Sequence, residues 1–146
     1  MQSRYELILE SDLKEIRRVE GLVKAMCREH HFEKEFIHDV MLLVTEATNN
    51  AIMHGNQFDK TKLARLSCTI ENGYLTIEVS DEGKGFDPQA LPNPLDPENL
   101  LKPSGRGVFL MKHFAELVEY DFSPRGTTLR MRVAIRYSGP SGTNKL

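Results

Sequence analysis

The chain has no tryptophan and only two cysteines, Cys27 and Cys68. No C-x-x-C pair and no metal-ligand spacing involves them, so a disulfide scaffold and a thiolate metal site are excluded. Two free, buried thiols are expected instead. No apolar run approaches the roughly 20 residues needed to cross a bilayer, and no membrane partner is expected. The first residues, Met1-Gln2-Ser3-Arg4-Tyr5-Glu6, lack the apolar core of a secretory signal; a cytoplasmic location is the expectation. Charge of one sign is also missing. A net charge of −2 offers no basic excess for direct nucleic-acid binding. Neither G-x-x-x-x-G-K-[ST] nor G-x-S-x-G occurs, which removes the P-loop NTPases and the hydrolase nucleophile elbow. His30 and His31 are adjacent and share no helical face, while His38, His54 and His113 have no partner at metal spacing.

What is present is ordinary globular material. Hydrophobic residues make up 40% and charged residues 27% of 146 residues, enough for one domain with a real core. Tyr5 to Glu10 reads as a short strand. Ser11 or Asp12 would cap a helix running to about Arg28, with Leu13, Ile16, Val19 and Val23 on one stripe. Glu33 to Met53 reads as the clearest helix, because Phe36, Val40, Leu43, Val44, Ala47 and Ala51 recur at helical spacing. Three later segments alternate apolar and polar residues, around Ala64–Ile70, Leu75–Val79 and Leu129–Ile135, and read as strands with one wet face. Asn72-Gly73 joins the first two as a type I′ hairpin. Val118, Tyr120 and Phe122 suggest another strand, turned back by Pro124-Arg125-Gly126. Val108 to Leu117 reads as a third helix.

Five of the seven prolines fall at Pro88, Pro92, Pro94, Pro97 and Pro103. That stretch cannot be helix or central strand throughout. It is expected to form a mobile lid over about 86–104, hinged at its glycine-rich ends. A single domain over 1–137 and a frayed tail over 138–146 follow. The expected fold is an α/β two-layer sandwich: a mixed, mostly antiparallel sheet of four or five strands, covered on one face by three helices.

Three polar clusters carry candidate chemistry. Glu46 and Asn50 lie about 40° apart on one helix face, at the border of the apolar stripe. The amide oxygen of Asn50 suits Mg²⁺, which takes hard oxygen ligands and shares substrate phosphates. Glu46 could orient or deprotonate a hydroxyl or a water beside a γ-phosphate. Asp81 follows a strand, and its acceptor-only carboxylate can take a hydrogen bond from an exocyclic amine such as that of adenine. Gly83 and Gly85 would let the backbone pass close to a base. Gly105 and Gly107 precede a helix whose N-terminus can hold an anion, with Arg106 adding a charged contact to phosphate. Thr127 and Thr128 could reach the base directly or through water, and His54 could neighbour the nucleotide. Taken singly, each of these is equally an ordinary helix end, turn or strand residue; the case rests on the set.

In order, the clusters resemble the ATP-binding superfamily of gyrase, the heat-shock chaperone, histidine kinases and mismatch-repair ATPases. Glu46 to Asn56, including His54-Gly55, resembles its asparagine box. Asp81-Glu82-Gly83-Lys84-Gly85-Phe86 resembles its first glycine box, Gly105-Arg106-Gly107-Val108 its second, and Gly126-Thr127-Thr128 its glycine-threonine element. The short form with E-A-x-x-N-A-x-x-H-G is most similar to bacterial anti-sigma-factor serine-protein kinases. The resemblance implies a histidine-kinase-type ATPase fold with ATP between helices and lid. It implies Mg²⁺ on Asn50, adenine on Asp81 and Glu46 as base. It implies phosphoryl transfer to a serine or threonine of a small anti-anti-sigma antagonist, a sigma factor or other regulator as second partner, and a homodimer. Two alternatives stay open: the catalytic domain of a histidine-kinase-like regulator, and a nucleotide-gated binding module without turnover.

Overall fold

The computed structural model describes residues 2–83 and 113–139. Five strands form one sheet: β1 (Gln2–Glu10), β2 (Leu63–Glu71), β3 (Tyr74–Ser80), β4 (Leu117–Ser123) and β5 (Gly126–Ala134), in the spatial order β1-β2-β3-β5-β4. Every pairing is antiparallel, where a mixed sheet was expected. For two of the four pairings the connection dictates it: the β2–β3 and β4–β5 links are two-residue turns, which can only reverse the chain. Asn72 and Gly73 both take positive φ, 54° and 80°, as a type I′ turn demands.

Two helices, α1 (Ile16–Glu29) and α2 (Lys34–Asn50), cover one face of the sheet. Val19, Val23, Met26 and Cys27 of α1 and Phe36, Val40, Leu43, Val44 and Ala47 of α2 recur every three or four residues. They pack on Leu9, Leu66, Cys68, Leu75, Ile77, Val79, Met131 and Val133, the alternate residues of the strands. Cys27 and Cys68 are free and buried, and burial pushes their thiols up to about 11 and about 12. The sheet's other face is open and polar, with Arg130 bridging Glu78 and Glu119.

Several expected boundaries move for local reasons. β1 starts at Gln2 and pairs with β2 along its whole length. The first helix does not run unbroken from Leu13. Asp12 caps a 3₁₀ turn over Leu13–Glu15, and the buried Glu15 carboxylate turns back to accept from the Glu10 N–H at 2.8 Å. Leu13 is consequently 41% exposed and leaves the expected core stripe. Regular helix in α2 ends at Asn50 and continues as a widened π turn over Ala51–Gly55, closed by Asn56 N–H to Ala51 C=O at 2.8 Å. The expected third helix lies mostly outside the described residues. His113 and Phe114 are helical, but Leu117 already pairs with Arg132 in β4, three residues further on. The lid and the tail beyond Gly139 also lie outside the described residues; Ser138, where the frayed tail was expected to begin, donates through its N–H and its Oγ to the His31 carbonyl at 2.7 and 3.0 Å. Among the described residues no helix is long and apolar enough to cross a membrane.

Candidate nucleotide site

α2 delivers Glu46 and Asn50 to one end of the sandwich, both half-buried and one turn apart. The π turn then widens the helix by one residue per turn, a device frequent at functional sites. It ends at Gly55, which packs directly on Asp81. A Cβ on Gly55 would sit 2.1 Å from Asp81 Oδ2 and 2.4 Å from its Cγ, so only glycine fits. A Cβ on Gly83 would sit 2.1 Å from the Gly55 carbonyl oxygen. Gly126, at φ 148°, approaches the Asp81 carbonyl just as closely. Three glycines from three segments thus pack around Asp81: Gly55 on its carboxylate, Gly83 on the Gly55 carbonyl beside it, and Gly126 on its main-chain carbonyl.

The backbone also grips Asp81. Its Oδ1 accepts from Gly83 N–H at 3.0 Å and Thr127 N–H at 3.2 Å, and its own N–H donates to the Thr127 carbonyl at 2.9 Å. Oδ2 faces Gly55 and accepts no hydrogen bond from the described residues, which leaves it for an outside donor. Burial raises the Asp81 carboxyl above its ordinary value; the two backbone donors and the charge of Lys62 pull the other way without cancelling it. An amine hydrogen-bonded to Oδ2 would relieve that cost.

The strand alternation separates the two threonines. Asp81 and Thr127 lie on the helix side of the sheet with Val79 and Leu129. Thr128 lies on the open side, lining a cleft with Arg65 and Ser80. His54 is exposed on the π turn. Gly85, Phe86, Gly105, Arg106, Gly107 and Val108 lie outside the described residues. Among the described residues no group of three or more His, Cys, Asp or Glu is arranged to hold a metal ion. Asn50 nevertheless fits Mg²⁺, because an ion bound largely by phosphate oxygens and water needs only one protein oxygen.

Reading by motif missed a buried polar joint behind Asp81. Asn56 is 1% exposed and Ser11 3%. The Asn56 Oδ1 accepts from Glu82 N–H at 2.8 Å, its Nδ2 donates to Ser11 Oγ at 3.0 Å, and Ser11 Oγ donates to the Lys62 carbonyl at 2.7 Å. Glu82 Oε1 accepts from Leu63 N–H at 2.7 Å. In the sequence Asn56 reads only as a helix end and Ser11 as a cap; neither has a periodic signal, since their partners are 45 and 26 residues away in the chain.

Fold and site together define a two-layer α/β sandwich of the ATPase class, with its polar end built from α2, the β3 terminus and the start of β5. The chain belongs to the histidine kinase-like ATPase domain family, whose model matches residues 9–133. It is 33% identical over 102 residues to an anti-sigma F factor of Clostridium botulinum, covering 66% of this chain and 69% of that protein. It is 35% identical over 98 residues to an anti-sigma F factor of Bacillus subtilis, covering 64% and 66%. The RsbU and RsbW domains of a Mycobacterium tuberculosis protein share the fold at TM-score 0.68 and 15% identity, over 94% of this chain and 35% of that one.

Proposed function

We propose that this chain is an ATP-dependent serine/threonine protein kinase acting as an anti-sigma factor in a partner-switching module. Its substrate would be a small anti-anti-sigma antagonist, and its second partner a sigma factor or other regulator. The observation that carries the nucleotide reading is Asp81 Oδ2, which lies against Gly55 and accepts from no described residue, on a half-buried carboxylate whose Oδ1 is held by the Gly83 and Thr127 N–H groups. The names of the anti-sigma F relatives support the partner assignment. We assign Asp81 to the adenine amine, Thr127 to the adjoining wall, Asn50 to Mg²⁺ and Glu46 to the base. His54 and Thr128 would border the site at most, and the second glycine cluster, Gly105-Arg106-Gly107-Val108, would face the phosphates. Bound Mg²⁺ would neutralise phosphate charge.

The transfer is one displacement. The hydroxyl oxygen of the antagonist's serine or threonine bonds to the γ-phosphorus, the bond from that phosphorus to the bridging oxygen breaks, and ADP leaves with the electron pair. The hydroxyl proton passes to the Glu46 carboxylate. Such chemistry needs positioning and charge neutralisation more than covalent help from the protein. We further propose a homodimer working in the cytoplasm.

The test is a pull-down from the native cell with Mg-ATP and with Mg-ADP, followed by phosphosite mapping of what co-purifies. A small regulator carrying acid-stable phosphoserine or phosphothreonine is the expected result. Phosphohistidine, or no phosphorylation of any bound protein, would overturn it. A second expectation concerns the glycine wall. Gly55→Ala must displace the Asp81 side chain, so ATP affinity measured by calorimetry should drop by about tenfold or more, the weight of a lost hydrogen bond to a charged group.

A further inference from the structure

The assignment of adenine to Asp81 raises the question of what holds Asp81 in place. Its carboxylate is set by the turn Asp81-Glu82-Gly83, and that turn leaves the sheet after Asp81, whose own N–H still donates to the Thr127 carbonyl of β5. Glu82 itself is exposed. The backbone N–H of Glu82 is instead tied to Asn56, the residue immediately after Gly55. Asn56 uses its amide fully: Oδ1 on Glu82 N–H, Nδ2 on Ser11 Oγ. Its backbone N–H closes the π turn on Ala51. Gln57 and Phe58 then take positive φ, 51° and 59°, which reverses the chain and leaves the Asn56 side chain buried behind the site. One side chain therefore joins the end of α2, the exit of β1, the entry of β2 and the exit of β3.

We propose that Asn56, backed by Ser11, is a positioning residue for adenine recognition: it holds the Asp81 turn against the end of α2 without touching the nucleotide. Being 1% exposed, it has no surface to offer a ligand. It acts through Asp81, and through the spacing between Asp81 and Asn50. An asparagine suits the place because the joint needs one acceptor and one donor on neighbouring atoms of a neutral group. An aspartate would bury a charge and could bond Ser11 only by drawing its hydroxyl proton away from the Lys62 carbonyl; an alanine would leave the Glu82 N–H without its acceptor and the Ser11 oxygen without its donor.

This inference rests on the adenine reading of Asp81, and its test separates the two. Affinities for ADP and GDP are measured by calorimetry for the wild type, Asn56→Ala, Ser11→Ala, Asp81→Asn and the double variant Asn56→Ala/Asp81→Asn, with folding checked by near-ultraviolet circular dichroism. Asn56→Ala is expected to weaken ADP binding about tenfold and to reduce the preference for ADP over GDP by a similar factor. Ser11→Ala is expected to act in the same direction, less strongly, and carries the test alone if Asn56→Ala does not fold. In the Asp81→Asn background, Asn56→Ala is expected to change ADP affinity by less than about twofold, because the residue it works through is already gone. Wild-type ADP preference in the folded variants, or additive losses in the double variant, would overturn the positioning role alone. A wild type that binds neither nucleotide would overturn the adenine reading, and this inference with it.

Discussion

A Glu46→Gln variant is expected to bind ATP as the wild type does and to transfer phosphate roughly 10²–10⁴-fold more slowly, the usual weight of a general base. The substitution keeps size and hydrogen-bonding reach but removes the ability to take a proton. Position makes the forecast specific. Glu46 is half-buried on α2, one turn before Asn50, with Val44 and Ala47 of the core beside it. A base must reach the reacting hydroxyl, and the border between core and cleft allows that reach. The measurement is transfer of labelled γ-phosphate to the antagonist, alongside ATP titration by calorimetry. Transfer at the wild-type rate would remove Glu46 from the chemistry. Loss of ATP binding together with transfer would mean that the side chain holds the nucleotide and does no proton work.

The same helix shows how far periodicity carries a sequence reading. The stripe from Phe36 to Ala51 is one apolar face at helical spacing, and all six residues are buried. The strands alternate with period two, and their inward residues form the other half of the core. These are repeated, local signals. The π turn gives no such signal, since its cause is long-range: Asn56 must meet Glu82 and Ser11, and Gly55 must meet Asp81. The 3₁₀ turn before α1 is similar, because Glu15 is drawn back to the Glu10 N–H and to Arg18. The antiparallel β2–β3 and β4–β5 pairs, by contrast, were implicit in their two-residue turns, whereas the directions of β1 against β2 and β3 against β5 were not.

The candidate site divides along the same line. Glu46, Asn50, Asp81 and the neighbouring glycines were legible because their spacing forms motifs. Thr128 went to the opposite face because strand alternation sends Thr127 and Thr128 to different sides, and their shared motif does not encode which side meets Asp81. Lys62 gave no signal at all; it bears on Asp81 only because the loop after the π turn returns there.

Asp81→Asn is expected to weaken ADP and ATP binding by about tenfold to a hundredfold, the weight of a hydrogen bond to a charged group. The geometry dictates which amide atom goes where. Oδ1 would keep the Gly83 and Thr127 N–H bonds, so the new NH₂ would take the place of Oδ2 beside Gly55. Two donors would then meet where the carboxylate and an exocyclic amine had been complementary. The same carboxylate sets a pH dependence. Its pKa in the folded, unliganded protein is raised, chiefly by burial. Ionised Asp81 therefore costs folding stability, and that cost disappears as pH falls through the raised pKa. Nucleotide binding has the opposite sign: an amine donor favours the ionised form, so binding releases a proton where Asp81 is partly protonated. Affinity for ADP should accordingly fall as pH is lowered, beginning above the ordinary aspartate range. Asp81→Asn should lose that component while keeping the dependence due to the phosphates. Titrations of both proteins across the acidic range, in buffers of different ionisation enthalpy to count protons, measure the difference directly. Identical pH profiles for the wild type and the variant would mean that Asp81 does not receive the base.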